Sequence, residues 1–138
     1  MPQCEETFKK TIVAIDDTPE NLQLIVDILK DRYRVKTFKD PKKALEYLFS
    51  NTCVDLILLD IMMPEMDGME VTQIVRREFP APKCHMPILA LTASANPVDH
   101  DRCLASGMND VLHKPLDEPQ LISKISNVLA VQASWGAP

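Results

Sequence analysis

The chain is expected to fold as one α/β domain, a doubly wound parallel sheet of five strands with five helices on its two faces. Three observations predict this. Short β-branched or apolar runs occur five times along the 138 residues. Each is followed by apolar residues at helical spacing. Thr-Pro, Asp-Pro and Asn-Pro pairs open helices, and Gly or Pro closes them. Strands that alternate with helices pair in parallel, because each helix carries the chain back across the sheet in a right-handed crossover.

TIVAID, Thr11 to Asp16, is the first strand, apolar enough for burial on both faces. Thr18-Pro19 supplies an N-cap and a first helical residue. Leu22, Ile25, Val26 and Leu29 then form an apolar helical stripe. RVKTF, Arg34 to Phe38, alternates as a second strand. Asp40-Pro41 repeats the cap-and-proline start, and Ala44, Leu45 and Leu48 give the second helix its inner face. VDLILL, Val54 to Leu59, is the third strand and ends at Asp60. Val71, Ile74 and Val75 mark the third helix, stopped before Pro80. ILALT, Ile88 to Thr92, is the fourth strand. Asn96-Pro97 opens a helix expected to close at Gly107 in a left-handed cap. VLHK, Val111 to Lys114, is the fifth strand. Asp117 caps a last helix carrying Leu121, Ile122, Ile125, Val128 and Leu129.

The domain is expected to span residues 9–131, with flexible tails at 1–8 and 132–138; Trp135 falls in the second. Hydrophobic content is 46% and charged content 25%, an ordinary globular balance. A net charge of −5 argues against direct nucleic-acid binding and leaves room only for a local basic patch. No apolar run approaches the roughly 20 residues that span a bilayer, so no membrane contact by this domain is expected. Cys4, Cys53, Cys84 and Cys103 lack zinc spacing, which suits a reducing, cytoplasmic setting.

In an open parallel sheet, ligands bind outside the carboxyl ends of the strands. Asp16-Asp17 ends the first strand, Asp60 the third, Thr92 the fourth and Lys114-Pro115 the fifth. Two carboxylates about 4 Å apart repel by roughly 4 kcal/mol at an effective dielectric of about 20. Three therefore call for a counter-charge, either Lys114 or a divalent cation. All-oxygen ligands favour Mg²⁺. A carboxylate can also act as a nucleophile and form an aspartyl phosphate. A cation, an ammonium and a hydroxyl are what phosphoryl oxygens need.

The motifs AIDD (Ala14 to Asp17), LILLDIMMPEMDG (Leu56 to Gly68), ALTA (Ala90 to Ala93) and HKP (His113 to Pro115) stand in the order found in response-regulator receiver domains of two-component systems. Over residues 9 to 131 the chain resembles that family. Its CLASGMNDVLHKPL segment, Cys103 to Leu116, is most similar to receivers of hybrid sensor histidine kinases. The resemblance implies a flavodoxin-like strand order, 2-1-3-4-5. It implies that Asp60 accepts a phosphoryl group from a histidine kinase or a histidine phosphotransfer domain. It implies that Asp16, Asp17, Asp60 and the backbone carbonyl of Met62 hold Mg²⁺, and that Thr92 and Lys114 meet the phosphoryl oxygens. The Lys114–Pro115 bond matches the family's usual cis peptide. Such a domain is a phospho-accepting switch rather than a turnover enzyme, sometimes within a parent sensor kinase, and it is compatible with weak homodimers.

One departure stands out. Val111 occupies the position, three before the lysine, where the family commonly has Tyr or Phe, so the ring-rotation half of the readout is in question. Other readings stay open beside the resemblance. Asp16 and Asp17 also suit a plain strand end, and the Met62, Met63, Met66 and Met69 cluster suits packing better than soft-metal binding. His113 reads as structural or surface, not as a phospho-carrier. A pseudo-receiver interaction domain and a Mg-dependent aspartyl-phosphate phosphatase remain alternatives. An FMN-binding module is disfavoured because DDTPEN, after the first strand, is acidic where a phosphate loop should carry Ser, Thr and Gly.

Overall fold

The computed structural model describes residues 10–50, 54–61, 66–79, 85–93, 96–114 and 116–136, with backbone only at 97 and 131–136. Its elements run β1 (Thr11–Ile15), α1 (Pro19–Leu29), β2 (Arg34–Phe38), α2 (Pro41–Ser50), β3 (Leu56–Asp60), α3 (Gly68–Glu78), β4 (Ile88–Thr92), α4 (Pro97–Ala105), β5 (Asp110–His113) and α5 (Glu118–Gly136). All strand pairs are parallel and the sheet order is β2-β1-β3-β4-β5, as expected from the sequence. The central strands β3 and β4 are buried at every residue, whereas edge strand β2 is mostly exposed.

Period-two alternation divides the sheet between two cores. Val13, Ile15, Ile57, Leu59, Ile88 and Ala90 point toward Ala44 and Leu48 of α2, Val71 and Val75 of α3 and Cys103 of α4. Ile12, Ala14, Leu56, Leu58, Leu89 and Leu91 point toward Leu22 and Ile25 of α1 and Leu121 and Ile125 of α5. Full burial of each large aliphatic side chain stabilises the fold by roughly 1.5–3 kcal/mol. The strands that must hold the polar site are thus anchored on both sides.

Several boundaries differ from the sequence expectation. β3 starts at Leu56, not Val54: the Asp55 N–H still donates to the Thr11 carbonyl at 2.8 Å, but the Thr11 N–H is taken by Asp55 Oδ2, also at 2.8 Å, so the regular ladder begins one residue later. The same strand runs on through Asp60, which pairs with Leu91. β5 ends at His113, so Lys114 lies just beyond it. Thr18 is the N-cap of α1, yet its side chain makes no cap hydrogen bond. The α5 backbone continues to Gly136, past the expected tail boundary at 131, since no Gly or Pro interrupts residues 131–135.

The ends at Asn96, Gly107 and Asp117 follow their expected chemistry, and α3 has a cap that the sequence did not single out. Asp67 and Glu70 form a reciprocal capping box on α3. Asn96 accepts from the Val98 N–H, and Asp117 from the Gln120 N–H. Gly107 adopts φ 114° after α4, a conformation that side chains rarely adopt. Its carbonyl accepts from Arg76 Nε at 3.0 Å and Nη2 at 2.8 Å. Arg76 also donates to the Met86 carbonyl at 2.7 Å, tying α3 to the loops before β4 and β5.

Candidate functional site

Three strand ends bring distant residues together. β1 stops at Ile15, so Asp16 and Asp17 emerge at the sheet's carboxyl edge, where Asp60 ends the neighbouring β3. One carboxylate oxygen from each of Asp16, Asp17 and Asp60 lies within 4.8 Å of the others. Lys114 reaches in from the far side of β4. Its Nζ is 3.2 Å from Asp16 Oδ2 and 3.3 Å from Asp60 Oδ1. Asp16 is 0%, Asp60 3% and Thr92 2% exposed, while Asp17 faces solvent.

The buried carboxylates are held by backbone and side chain. Asp16 Oδ1 accepts the Thr18 N–H at 2.9 Å, and its Oδ2 accepts from Asn21 Nδ2 at 3.2 Å. Asp60 is fixed through the residue that follows it. The Ile61 N–H donates to the Leu91 carbonyl, and the Ile61 carbonyl accepts from the Gly68 N–H, each at 3.2 Å. Gly68 is required by proximity rather than by φ: a Cβ there would stand 2.8 Å from Ile61 Cα and 2.9 Å from the Asp60 carbonyl oxygen. On the other side of the site, the Lys114 N–H donates to the Thr92 carbonyl at 2.7 Å.

The charge balance indicates what the site can hold. Three carboxylates and one ammonium leave two negative charges. At 4.8 Å each carboxylate pair repels by about 3.5 kcal/mol at an effective dielectric of about 20. The two Lys114 contacts return about 5 kcal/mol each on the same scale. That roughly cancels the repulsion and leaves a net charge of −2, with two of the three carboxylates withdrawn from water. A hard divalent cation fits the remainder, because every donor in the cluster is oxygen.

Asp16, Asp17, Asp60, Thr92 and Lys114 therefore share one edge of the sheet. The Met62 carbonyl and the Lys114–Pro115 bond lie outside the described residues, as do Cys4, Cys53 and Cys84. Sequence reasoning missed Asn21 and saw Gly68 only as the end of the LILLDIMMPEMDG motif. The signal for Gly68 was its place right after the N-cap, where a side chain is normally tolerated. Val111 is buried at 3% in the core beneath α4, where it packs without a ring. His113 is exposed, as expected of a surface residue, and stacks on His100 of α4 with centroids 6.3 Å apart and planes 13° apart.

Comparison with known proteins gives a consistent answer. A family model described as "Response regulator receiver domain" matches residues 12–126. A protein of Vibrio cholerae described as "Probable cyclic di-GMP phosphodiesterase" is 36% identical over 121 residues, covering 88% of this chain and 27% of its own length. "Hybrid signal transduction histidine kinase M" of Dictyostelium discoideum is 36% identical over 121 residues, covering 86% of this chain and 5% of its own. The chain thus spans about a quarter or less of these relatives. The structure of the chemotaxis protein CheY4 of Vibrio cholerae superimposes with a TM-score of 0.79 at 29% identity, over 87% of this chain and 98% of that one.

Proposed function

The chain belongs to the response regulator receiver domain family, and from that premise we propose that it accepts a phosphoryl group on Asp60 from a phosphohistidine, with Mg²⁺ at the acidic cluster. The carrying observation is the convergence of Asp16, Asp17, Asp60 and Lys114 within ion-pair distance at the carboxyl edge of the sheet. A carboxylate oxygen of Asp60 attacks phosphorus. The O–P bond forms, the N–P bond of the donor breaks, and its electron pair returns to the imidazole nitrogen.

Each residue of the chain has a task in this reading. Asp60 is the nucleophile, held in line by the clamped Ile61 backbone. Lys114 moves its ammonium from carboxylate toward phosphoryl oxygen, and the Thr92 hydroxyl donates to another oxygen. Asp16, Asp17 and Asp60 would hold the Mg²⁺ ion, with the Met62 carbonyl as the family's further ligand. When bound, Mg²⁺ supplies positive charge against the phosphoryl oxygens. Positioning and electrostatics carry the chemistry, and the donor supplies the driving force.

The donor in this reading is a histidine kinase or a histidine phosphotransfer domain, the setting is cytoplasmic, and the parent is a larger signalling chain such as a hybrid kinase. Among the described residues no helix is long and apolar enough to cross a membrane. The test is incubation with Mg²⁺ and acetyl phosphate, followed by intact mass. The wild type gains one phosphoryl group, Asp60→Asn gains none, and chelation of Mg²⁺ stops the gain. An undiminished adduct in Asp60→Asn defeats the proposal, and steady turnover of small phosphate esters points instead to a phosphatase.

A further inference from the structure

The charge of the chain is unevenly placed. Between Lys30 and Lys43 stand seven Lys or Arg and two Asp, a net +5 in a chain of −5, which leaves −10 elsewhere. All seven basic side chains are exposed. Among the described residues, Arg32, Arg34, Lys36, Lys39, Lys42 and Lys43 form no ion pair with a carboxylate.

These cations follow β2, which is an edge of the sheet; among the described residues no strand pairs with its outer side. The Arg34 N–H donates to the Lys10 carbonyl at 2.9 Å, and the Phe38 carbonyl accepts from the Asp16 N–H at 3.1 Å. Residues 34, 36 and 38 therefore turn their backbone groups toward β1. By the same alternation, the N–H and C=O of Val35 and Thr37 face outward. Phe38 packs in the core toward α2, and Lys36 Nζ lies 5.6 Å from the Tyr47 ring of α2. Arg34 and Lys36 thus lie on the α2 side of the edge.

Lysines commonly defend an edge strand against self-pairing. That accounts for Arg34 and Lys36 but not for Lys39, Lys42 and Lys43, which lie beyond the strand. Lys42 and Lys43 stand in the first turn of α2, which holds no acidic residue. The helix dipole disfavours cations there, so folding alone would favour Asp or Glu. We propose that β2 is a docking edge for an acidic, extended segment of a partner protein, laid alongside as a sixth strand with its carboxylates on the α2 side. A second copy of β2 would bring the same positive charges and be repelled. A bilayer or a nucleic acid offers no strand to the Val35 and Thr37 backbone, whereas an acidic strand meets both the backbone and the field.

The test uses the ¹⁵N-labelled full chain and a synthetic peptide of about ten residues alternating Glu and Thr, long enough to pair with a five-residue strand. Binding is expected to slow amide exchange at Val35 and Thr37 selectively and to weaken several-fold between about 0.05 and 0.3 M salt. Arg34→Glu with Lys36→Glu should abolish it. Should that pair disturb the fold, Lys42→Gln with Lys43→Gln keeps the test open, with an expected several-fold loss of affinity. Unchanged exchange at Val35 and Thr37, or equal binding to the charge-altered variants, overturns the proposal. Stronger binding at this edge to duplex DNA or to phosphatidylserine vesicles overturns it equally.

Discussion

Gly68→Ala tests how the carboxylate of Asp60, the proposed acceptor, is held. The new methyl would stand 2.8 Å from Ile61 Cα, 2.9 Å from the Asp60 carbonyl oxygen and 3.0 Å from Ile61 Cγ2. Carbon contacts relax at about 3.5–4.0 Å, so the Asp60–Ile61 backbone and the start of α3 must separate by roughly 0.7–1 Å. Two of the three contacts are backbone and cannot rotate aside. Overpacking of this kind costs about 1–3 kcal/mol. Alanine's better helix propensity returns at most about 1 kcal/mol, and less in a first turn. The net loss is about 1–2 kcal/mol, a fall in Tm of roughly 3–10 °C for a domain of this size. Displacing Asp60 by a few tenths of an ångström should also slow its phosphorylation about tenfold, since a 1 Å misplacement can cost roughly a hundredfold. Thermal unfolding and the rate of mass gain with acetyl phosphate read the two effects separately. An unchanged Tm together with an unchanged rate would refute the claim that Gly68 clamps the acceptor.

Three further outcomes follow from the same structure. Lys114→Met removes the ammonium that pairs with Asp16 and Asp60; urea unfolding without metal should show a loss of about 1–3 kcal/mol, reduced from the fully buried case by partial exposure. In the same variant, a Mg²⁺ titration should show tighter binding and mass spectrometry a rate of phosphorylation lower by about tenfold or more. Arg76→Lys keeps the charge but loses the fork shared by Gly107, Met86 and Asn109; urea unfolding should show a loss of about 1–3 kcal/mol. Burial pushes the Cys103 thiol up, with nearby Asp99 adding to the effect. As pH rises past the ordinary thiol value, the unfolded chain releases this proton first, so that part of the stability is present at neutral pH and lost on the alkaline side. Urea midpoints measured at about pH 7 and about pH 10 should therefore converge more closely in Cys103→Ala than in wild type.

Much of this was legible because it is local. An apolar run that ends in a carboxylate announces both a buried strand and a group at its tip, which is how LILLD places Asp60. Proline after Thr18, Asp40 and Asn96 marks helix starts wherever the fold packs them. What escaped depends on contacts between distant segments. Arg76 gives no sign in sequence of bonding to Gly107, 31 residues away. Asp55 reads as part of a strand until Thr11 is seen to occupy its side chain. Thr18 reads as a side-chain cap; it is the N-cap of α1, but its hydroxyl bonds no helix N–H, while its own N–H goes to the buried Asp16 carboxylate, which needs donors. The crowding at Gly68 is likewise invisible without coordinates.

Val111 narrows how occupation of the site can be felt elsewhere. Its position carries no ring to swing, and valine is already buried there. What remains is a backbone linkage. The Lys114 N–H is bonded to the Thr92 carbonyl at 2.7 Å, and Thr92 stands opposite His113 in the β4–β5 register. The His113 ring in turn meets His100 of α4. In the proposed reaction Thr92 and Lys114 both move toward phosphoryl oxygens, and this linkage obliges them to move together with His113. A ring contact of this type is worth at most about 0.5–1.5 kcal/mol. Such an energy biases a two-state equilibrium roughly two- to tenfold, far short of the roughly 10⁴-fold needed to invert a 1:99 population. The α4 face should therefore respond to phosphorylation as a graded shift in population, and a partner that reads this face must itself favour the shifted state to complete the switch.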